Sequence, residues 1–357
     1  MSESGTIVRI GMIGTGGMGV AGHLTAFQQS PYARVVAACD VNPQNVAQAA
    51  ERFQIPATYT DYLDLLERER LDLVDVATPN NSHAEISLEA ISRGVNVLCE
   101  KPLGMSRHQT RQMVSAARDM KVKTAVNFSY RNVPAARFIR EIIQSGEIGE
   151  IHHVIATYNQ GWLVDPRTPH AWRLQKSLTG TGVLGDLGSH IIDLARFWTL
   201  EFSRVNCHLK TFVAERPLPS GNGSAPVDVD DAASLQVEFA NGGTGVIFAT
   251  RFAFARANSQ RAEIYGSKGG LVYDNERPHE IQFAIGGFQA RQRQYSTMPV
   301  PRPIISGSQS TMQTFVEDLV KHTDTTATFE DGSICQEILD AAEISAETGR
   351  WQSVPVD

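Results

Sequence analysis

Apolar positions along the first third of the chain alternate between two periods. Ile7–Ile13 is a run rich in β-branched residues and reads as a buried strand, and Met18–Gln29 has the composition of a helix. Val35–Cys39 is strand-like, Pro43–Phe53 and Tyr62–Glu69 have helical spacing, and Leu73–Ala77 is again a buried-type strand. Ser82–Arg93 reads as a helix, with Ser82 as N-cap, Glu85 at the capping-box position and Gly94 past its end. Val95–Cys99 (strand), Ser106–Met120 (helix) and Thr124–Asn127 (strand) complete the series. Strands separated by single helices imply right-handed βαβ crossovers and a parallel sheet. A first domain is expected over residues 1–128.

The texture changes after an amphipathic helix at Pro134–Ser145. Strands are expected at Ile151–Tyr158, Val205–Ala214, Ala232–Phe239, Gly245–Phe254, Arg261–Tyr265, Leu271–Asp274, Glu280–Ala284 and Arg291–Ser296. Asn241-Gly242-Gly243 and Gly266-Ser267-Lys268-Gly269 have hairpin chemistry, so the sheet should be mostly antiparallel. Arg216–Val229, with its Pro, Gly and Ser, is expected to be a surface loop. Helical spacing returns at Gln309–Lys321 and Ser333–Thr348, with Gly349 as a stop. The fold class is α/β, with a second α/β domain over 129–357 whose last helices can pack back on the first.

Composition narrows this little. The 357 residues suit two domains, and 42% hydrophobic residues suit a sizeable core. A net charge of −7 argues against nucleic-acid or anionic-membrane partners, and no uncharged run approaches membrane-spanning length. Cys39, Cys99, Cys207 and Cys335 are far apart, form no Cys-x-x-Cys pair and no zinc spacing, and read as reduced thiols of a cytoplasmic protein without a signal peptide.

The chemistry begins where the first strand ends, in Gly14-Thr15-Gly16-Gly17-Met18-Gly19. Between a strand and a helix, Gly14 permits a tight turn, Gly16 lets the backbone approach a pyrophosphate, and Gly19 lets helix and strand pack closely. The helix start offers free N–H groups to phosphates. Asp40 ends the second strand about 20 residues on, where an acid can hold the ribose hydroxyls of NAD. It is followed by Val41-Asn42 rather than a cation for a 2′-phosphate, which favours NAD over NADP. Ligands of parallel sheets lie beyond the carboxyl ends of the strands. That edge also receives the Thr78–His83 loop, Glu100-Lys101-Pro102 and Asn127. Lys101, fixed by Pro102, has the chemistry to position a substrate hydroxyl and shift its proton affinity. In the second half, Asp186 and His190 lie four apart after a glycine cluster and share a helix face, an arrangement suited to acid–base work. Without a third nearby ligand they do not make a metal site.

Together these motifs resemble the glucose–fructose oxidoreductase / inositol dehydrogenase (Gfo/Idh/MocA) family. The residues that carry the resemblance are the glycine loop, Asp40, Thr78-Pro79-Asn80-Asn81-Ser82-His83, Cys99-Glu100-Lys101-Pro102 and Gly185-Asp186-Leu187-Gly188-Ser189-His190-Ile191-Ile192-Asp193. Trp172-Arg173 and Asp331-Gly332 add to it. The resemblance implies an N-terminal Rossmann domain, a C-terminal α/β domain on an open antiparallel sheet, and homodimers or homotetramers packed through that sheet. It implies sugar, inositol or polyol substrates, with Lys101, Asp186 and His190 at the reaction centre and Thr78, Asn80, His83 and Glu100 at the nicotinamide end. The expected reaction is oxidation of a secondary hydroxyl by NAD. In it His190 is the general base, Lys101 steadies the oxygen and Asp186 orients His190. Arg131, Asn159, Trp162 and His170 are candidate substrate contacts, with Trp172 and Arg173 serving either substrate or cofactor. A transient-redox glycoside-processing enzyme and a cofactor-sensing regulator are the alternatives.

Overall fold

A computed structural model describes residues 7–198, 201–287, 293–325 and 327–355. Two compact units divide the chain: residues up to Phe128 with Gln309–Gln336, and Ser129–Ser308 with the residues from Glu337 on.

The first unit holds β1 (Val8–Ile13), β2 (Ala33–Cys39), β3 (Ala57–Tyr59), β4 (Leu73–Val76), β5 (Asn96–Cys99) and β6 (Thr124–Val126). All pair in parallel, in the order β3-β2-β1-β4-β5-β6. β3 has only three residues, none of them buried, and gives no apolar signal in the sequence. The strand order reverses between β1 and β4, and the carboxyl ends diverge there into a ligand crevice. Ile10, Leu73, Leu98 and Ala125 form the core of one face with Phe27, Met312, Phe315 and Val316, so Thr311–Lys321 supplies a covering helix to this sheet.

Two helix starts differ from expectation. Gly19–Leu24 is a π turn, followed by a single α turn at Thr25–Gln28, rather than one regular helix. Ser82 does not cap the next helix. It closes a 3-10 turn, donating its hydroxyl to Thr78 Oγ1 (2.7 Å) and the Pro79 carbonyl (2.9 Å), and the helix runs His83–Ser92.

The second unit is built on β7 (Ile151–Asn159), β8 (Phe202–Lys210), β11 (Ala232–Phe239), β12 (Thr244–Thr250), β13 (Ser259–Gly266), β14 (Gly269–Asp274), β15 (Glu280–Ile285), β16 (Ser296–Pro299) and β17 (Gln352–Ser353). Among the described residues these form one sheet, antiparallel except where β7 meets β12. Helices Pro134–Gln144 and Ser189–Phe197 lie on one face, where the Trp198 indole donates to the Ala136 carbonyl (3.0 Å).

Several expected boundaries move. β12 stops at Thr250, and β8 begins at Phe202 and ends at Lys210. Residues 216–229 are not a plain surface loop. They contain a hairpin of β9 (Glu215–Pro217) and β10 (Ser224–Pro226), with Arg216 fully buried and donating to the carbonyls of Leu163 (2.7 Å) and Asp165 (2.9 Å). Of the strand expected at Arg291–Ser296, residues 291–292 lie outside the described residues and β16 begins only at Ser296. No helix among the described residues is long and apolar enough to cross a membrane.

Candidate active site

In the first unit the glycine loop closes tightly against the next strand. Gly14 has φ +96°, and a Cβ there would lie 2.5 Å from the Ala77 carbonyl oxygen. At Gly19 a Cβ would meet the Gly14 carbonyl oxygen at 2.2 Å, so these two positions admit only glycine for reasons internal to the protein. Gly16 is different, because a Cβ there meets no atom within 4 Å. Its openness leaves room for a group from outside, as a pyrophosphate requires. Asp40 organises the loop: Oδ2 accepts from Thr15 N (2.8 Å) and Thr15 Oγ1 (3.1 Å), and Oδ1 accepts from Asn42 N (2.9 Å). A carboxylate has further lone pairs for ribose hydroxyls beyond these bonds. Gly17 and Met18 are exposed at the turn. The loop, the free approach at Gly16 and the half-buried acid fit NAD.

Beyond β4 and β5 a buried polar network appears that sequence reading did not find. His23, carried inward by the π turn, has Nδ1 2.8 Å from Asp75 Oδ2 and Nε2 2.8 Å from Glu100 Oε1. Asn127 Nδ2 donates to the same Glu100 oxygen (2.6 Å), while Lys101 N donates to Glu100 Oε2 (3.1 Å). His23 and Asp75 are both fully buried. Burial disfavours the charged imidazole, but Asp75 and Glu100 more than offset that, and His23 is pushed up to about 10. Burial likewise raises Glu100, and His23, Lys101 and Asn127 overcome it to bring the carboxyl down to about 2. Burial lifts Asp75 above the usual carboxylate range, against the pull of His23.

His83 lies at the same strand ends, between the loops after β4 and β5. It is fully buried, with Nδ1 2.9 Å from the Pro102 carbonyl and Nε2 3.0 Å from that of Thr78. The ring staples the two loops together. Thr78, Asn80 and Lys101 are half-buried at the same strand ends, and the Lys101–Pro102 peptide is cis. Asp331 and Gly332 serve the long helix Phe329–Thr348: Asp331 accepts from Thr328 N (3.1 Å), and Gly332 packs against Leu103 and Val126.

In the second unit, Asp186 lies in a π turn, Leu184–Gly188, that runs into the helix bearing His190. π turns recur at functional sites because they rotate side chains away from regular spacing. The start of this turn is held by Asp230, which accepts from Gly182 N (2.7 Å) and Leu184 N (2.8 Å). Asp186 pairs with Arg251, whose Nη2 lies 2.8 Å from Oδ2, and the Arg251 guanidinium sits 5.4 Å from the Trp162 ring centroid. Asp186 is thus bound to a cation.

His190 is 7% exposed and packs edge-on against Tyr130, with ring centroids 4.7 Å apart. Around it lies a closed set of hydrogen-bonding groups. Tyr130 and Tyr158 hydroxyls are 2.7 Å apart, Tyr158 donates to Asn258 Oδ1 (2.5 Å), and Asn258 Nδ2 donates to the Tyr130 hydroxyl (2.8 Å). Gln160 Nε2 donates to Asn258 Oδ1 (3.0 Å), and its Oε1 accepts from the Trp162 indole (3.0 Å). Burial pushes the Tyr158 phenol far above its ordinary range, so it stays protonated. Tyr130, Tyr158, Gln160, Asn258 and Arg251 were not recognised from sequence. Aromatic and amide residues beside Asn159 and Trp162 were the only signal available.

Two expected substrate contacts have protein partners of their own. Arg131 makes a buried bidentate ion pair with Asp193 (2.9 Å and 2.5 Å) and lies over Phe197. His170 is 8% exposed, with Nε2 3.0 Å from the Pro226 carbonyl, and pins the β9–β10 hairpin. Trp162 is exposed, Asn159 is half-buried at the end of β7, and Arg173 stacks on Trp172 at 4.4 Å. Among the described residues no group of three or more His, Cys, Asp or Glu side chains could hold a metal.

Comparison with known proteins agrees with this arrangement. Residues 8–128 match the family model "Oxidoreductase family, NAD-binding Rossmann fold", and residues 136–272 match "GFO/IDH/MocA C-terminal domain". Levoglucosan dehydrogenase of Pseudarthrobacter phenanthrenivorans is 35% identical, with 98% of each chain covered. An oxidoreductase domain protein from Kribbella flavida has the same fold at TM-score 0.92 and 35% identity, covering 98% of this chain and 100% of that one. A levoglucosan dehydrogenase in complex with NADH and levoglucosan follows at TM-score 0.89 and 34% identity, covering 98% and 100%.

Proposed function

The chain belongs to the GFO/IDH/MocA family of NAD-binding oxidoreductases, and from that premise we propose that it oxidises a secondary hydroxyl of a sugar, inositol or related cyclic polyol. The observation that carries the substrate class is the ring of hydroxyl and amide groups beside His190. Tyr130, Tyr158, Asn258 and Gln160 offer alternating donors and acceptors next to an exposed indole, Trp162. Vicinal hydroxyls on a ring need such a set, and an aromatic face suits the C–H face of the ring. The sugar names of similar proteins support the same class.

His190 takes the hydroxyl proton as general base, and Lys101 donates a hydrogen bond to the same oxygen, favouring the developing negative charge. Asp186, held by Arg251, keeps a carboxylate one turn before His190 and is available to a neighbouring substrate hydroxyl. NAD, held by the glycine loop and Asp40, supplies the hydride acceptor when bound. The exposed face of the second unit's sheet meets a second copy of the chain, giving a dimer or tetramer.

NADH absorbance with a panel of inositols, aldoses, anhydrosugars and glycosides tests this reading. A polyol-dependent signal with NAD is expected, reduced about 100-fold or more in His190→Ala. Normal turnover in His190→Ala would remove the assignment. Silence across the panel from a protein that binds NADH would remove the substrate class.

A further inference from the structure

The buried network of His23, Asp75, Glu100 and Asn127 is larger than cofactor binding requires. We propose that His23 and Asp75 are positioning residues for Lys101, acting through Glu100; this rests on Lys101 being a group that touches the substrate hydroxyl.

The hydrogen bonds form one continuous line. It starts at Asp75 in the middle of β4, passes through both nitrogens of His23, reaches Glu100 Oε1, and leaves from Oε2 to the backbone N–H of Lys101. Each ring nitrogen of His23 faces a carboxyl oxygen at 2.8 Å, and the two acidic partners together favour the imidazolium, with both nitrogens donating. Asn127 Nδ2 fixes the same Glu100 oxygen from β6 at 2.6 Å. Glu100 therefore has one available orientation, and it is the one that fixes the start of the Lys101 segment.

Charge explains why the line is more than a scaffold. Two carboxylates, one imidazolium and the Lys101 ammonium sum to zero. Without the imidazolium, two carboxylates remain in the interior, and burying an uncompensated charge is far costlier than burying a matched set. Relief comes from a proton on one of the two acids or from Glu100 turning away, and both loosen the carboxyl that holds the Lys101 N–H. An apolar cluster would hold these strands together at lower cost, as replacements of buried ion pairs show. What a charged line adds is direction. It ties the turn after the glycine loop to the residue expected to meet the hydroxyl, so these two parts of the site hold a common register.

The proposal separates from a merely structural role by what each substitution changes. Asp75→Asn keeps the shape and leaves an acceptor for His23 Nδ1, and His23→Gln removes the cation. In both, kcat should fall roughly 10- to 100-fold, the scale on which small misplacements of a reacting group are felt. NADH affinity, read by fluorescence titration, should change less than about threefold, a few tenths of a kcal/mol. Because both act through Glu100, the double variant should lose no more than the worse single one. If His23→Gln does not fold, Asp75→Asn decides. A kcat within about twofold of wild type in Asp75→Asn, or additive losses in the double variant, would overturn the proposal. Lys101→Met measured alongside keeps the two readings apart. If it retains turnover, the role of Lys101 has failed. If it is inactive while Asp75→Asn is normal, only the positioning role has failed.

Discussion

His23 shows how one side chain couples stability to pH in the first unit. In the unfolded chain it is charged only below its ordinary value of 6.5, whereas in the folded unit it stays charged up to about 10. Its stabilisation is therefore complete below pH 6.5 and is lost as pH climbs towards 10. Glu100 has the opposite sign. Held at about 2 against an ordinary 4.5, it contributes fully above 4.5 and loses its contribution as pH falls towards 2. Both contributions are complete between these limits, near pH 5 to 6. Thermal melting of wild type and His23→Gln at pH 6, 8 and 10 should show the largest gap in melting temperature at pH 6, narrowing as pH rises. A gap that grew with pH would contradict the charged state assigned to His23. None of this was legible in the sequence. A histidine four residues past a glycine loop and an aspartate in a four-residue apolar strand carry no pattern that links them. Their meeting across 52 residues depends on a π turn that no spacing rule announces.

Elements whose side chains repeat with a simple period were legible. Pro43–Phe53 and Ala232–Phe239 have the bounds expected from period and breakers alone. Pro at the first helical position and alternation along a half-buried strand are local signals. The π turns, the short β3 and the β9–β10 hairpin were not, because long-range contacts set them. The glycine loop falls between these cases, and its glycines separate by cause. Gly19→Ala places a Cβ 2.2 Å from the Gly14 carbonyl oxygen and 2.8 Å from Met12 Cε, and backbone cannot yield as a flexible side chain does. The free protein should melt at lower temperature, by roughly 1–3 kcal/mol of stability, the scale of overpacking. Gly16→Ala meets nothing within 4 Å. It should leave the melting temperature of the free protein nearly unchanged and weaken NADH binding, because the added methyl occupies space a pyrophosphate needs. Unchanged NADH affinity in Gly16→Ala would show that the cofactor does not approach at this turn.

At the scale of the whole molecule, the expectation that remains to be measured is self-association through the second unit's sheet. Sites assembled from distant segments resist reading for the same reason that interfaces do. Tyr158 and Asn258 are 100 residues apart and meet because β7 and β13 pair beside them. The exposed face, by contrast, follows from alternation. Val246 on β12 and Ile155 on β7 are cross-strand neighbours, 48% and 45% exposed, with Gln236 and Glu263 on either side of them. Phe248 extends the apolar centre, and the Arg204–Glu238 ion pair lies towards its edge. Nine strands at about 4.8 Å spacing and roughly 20 Å length present about 800 Å². That is close to the area each partner buries in an interface of ordinary size, about 800 Å². A two-fold axis lets this face meet itself, with apolar centre on apolar centre. Light scattering coupled to size exclusion should give a dimer or tetramer mass for the wild type. Val246→Asp should shift it towards monomer while NADH still binds, since the new carboxylate would be buried without a partner in each copy. A wild-type protein that is monomeric at tens of micromolar, or a Val246→Asp protein that keeps the wild-type mass, would place the contact elsewhere or nowhere. Turnover retained in the monomer would further show that a second copy supplies the active site with stability rather than with a residue.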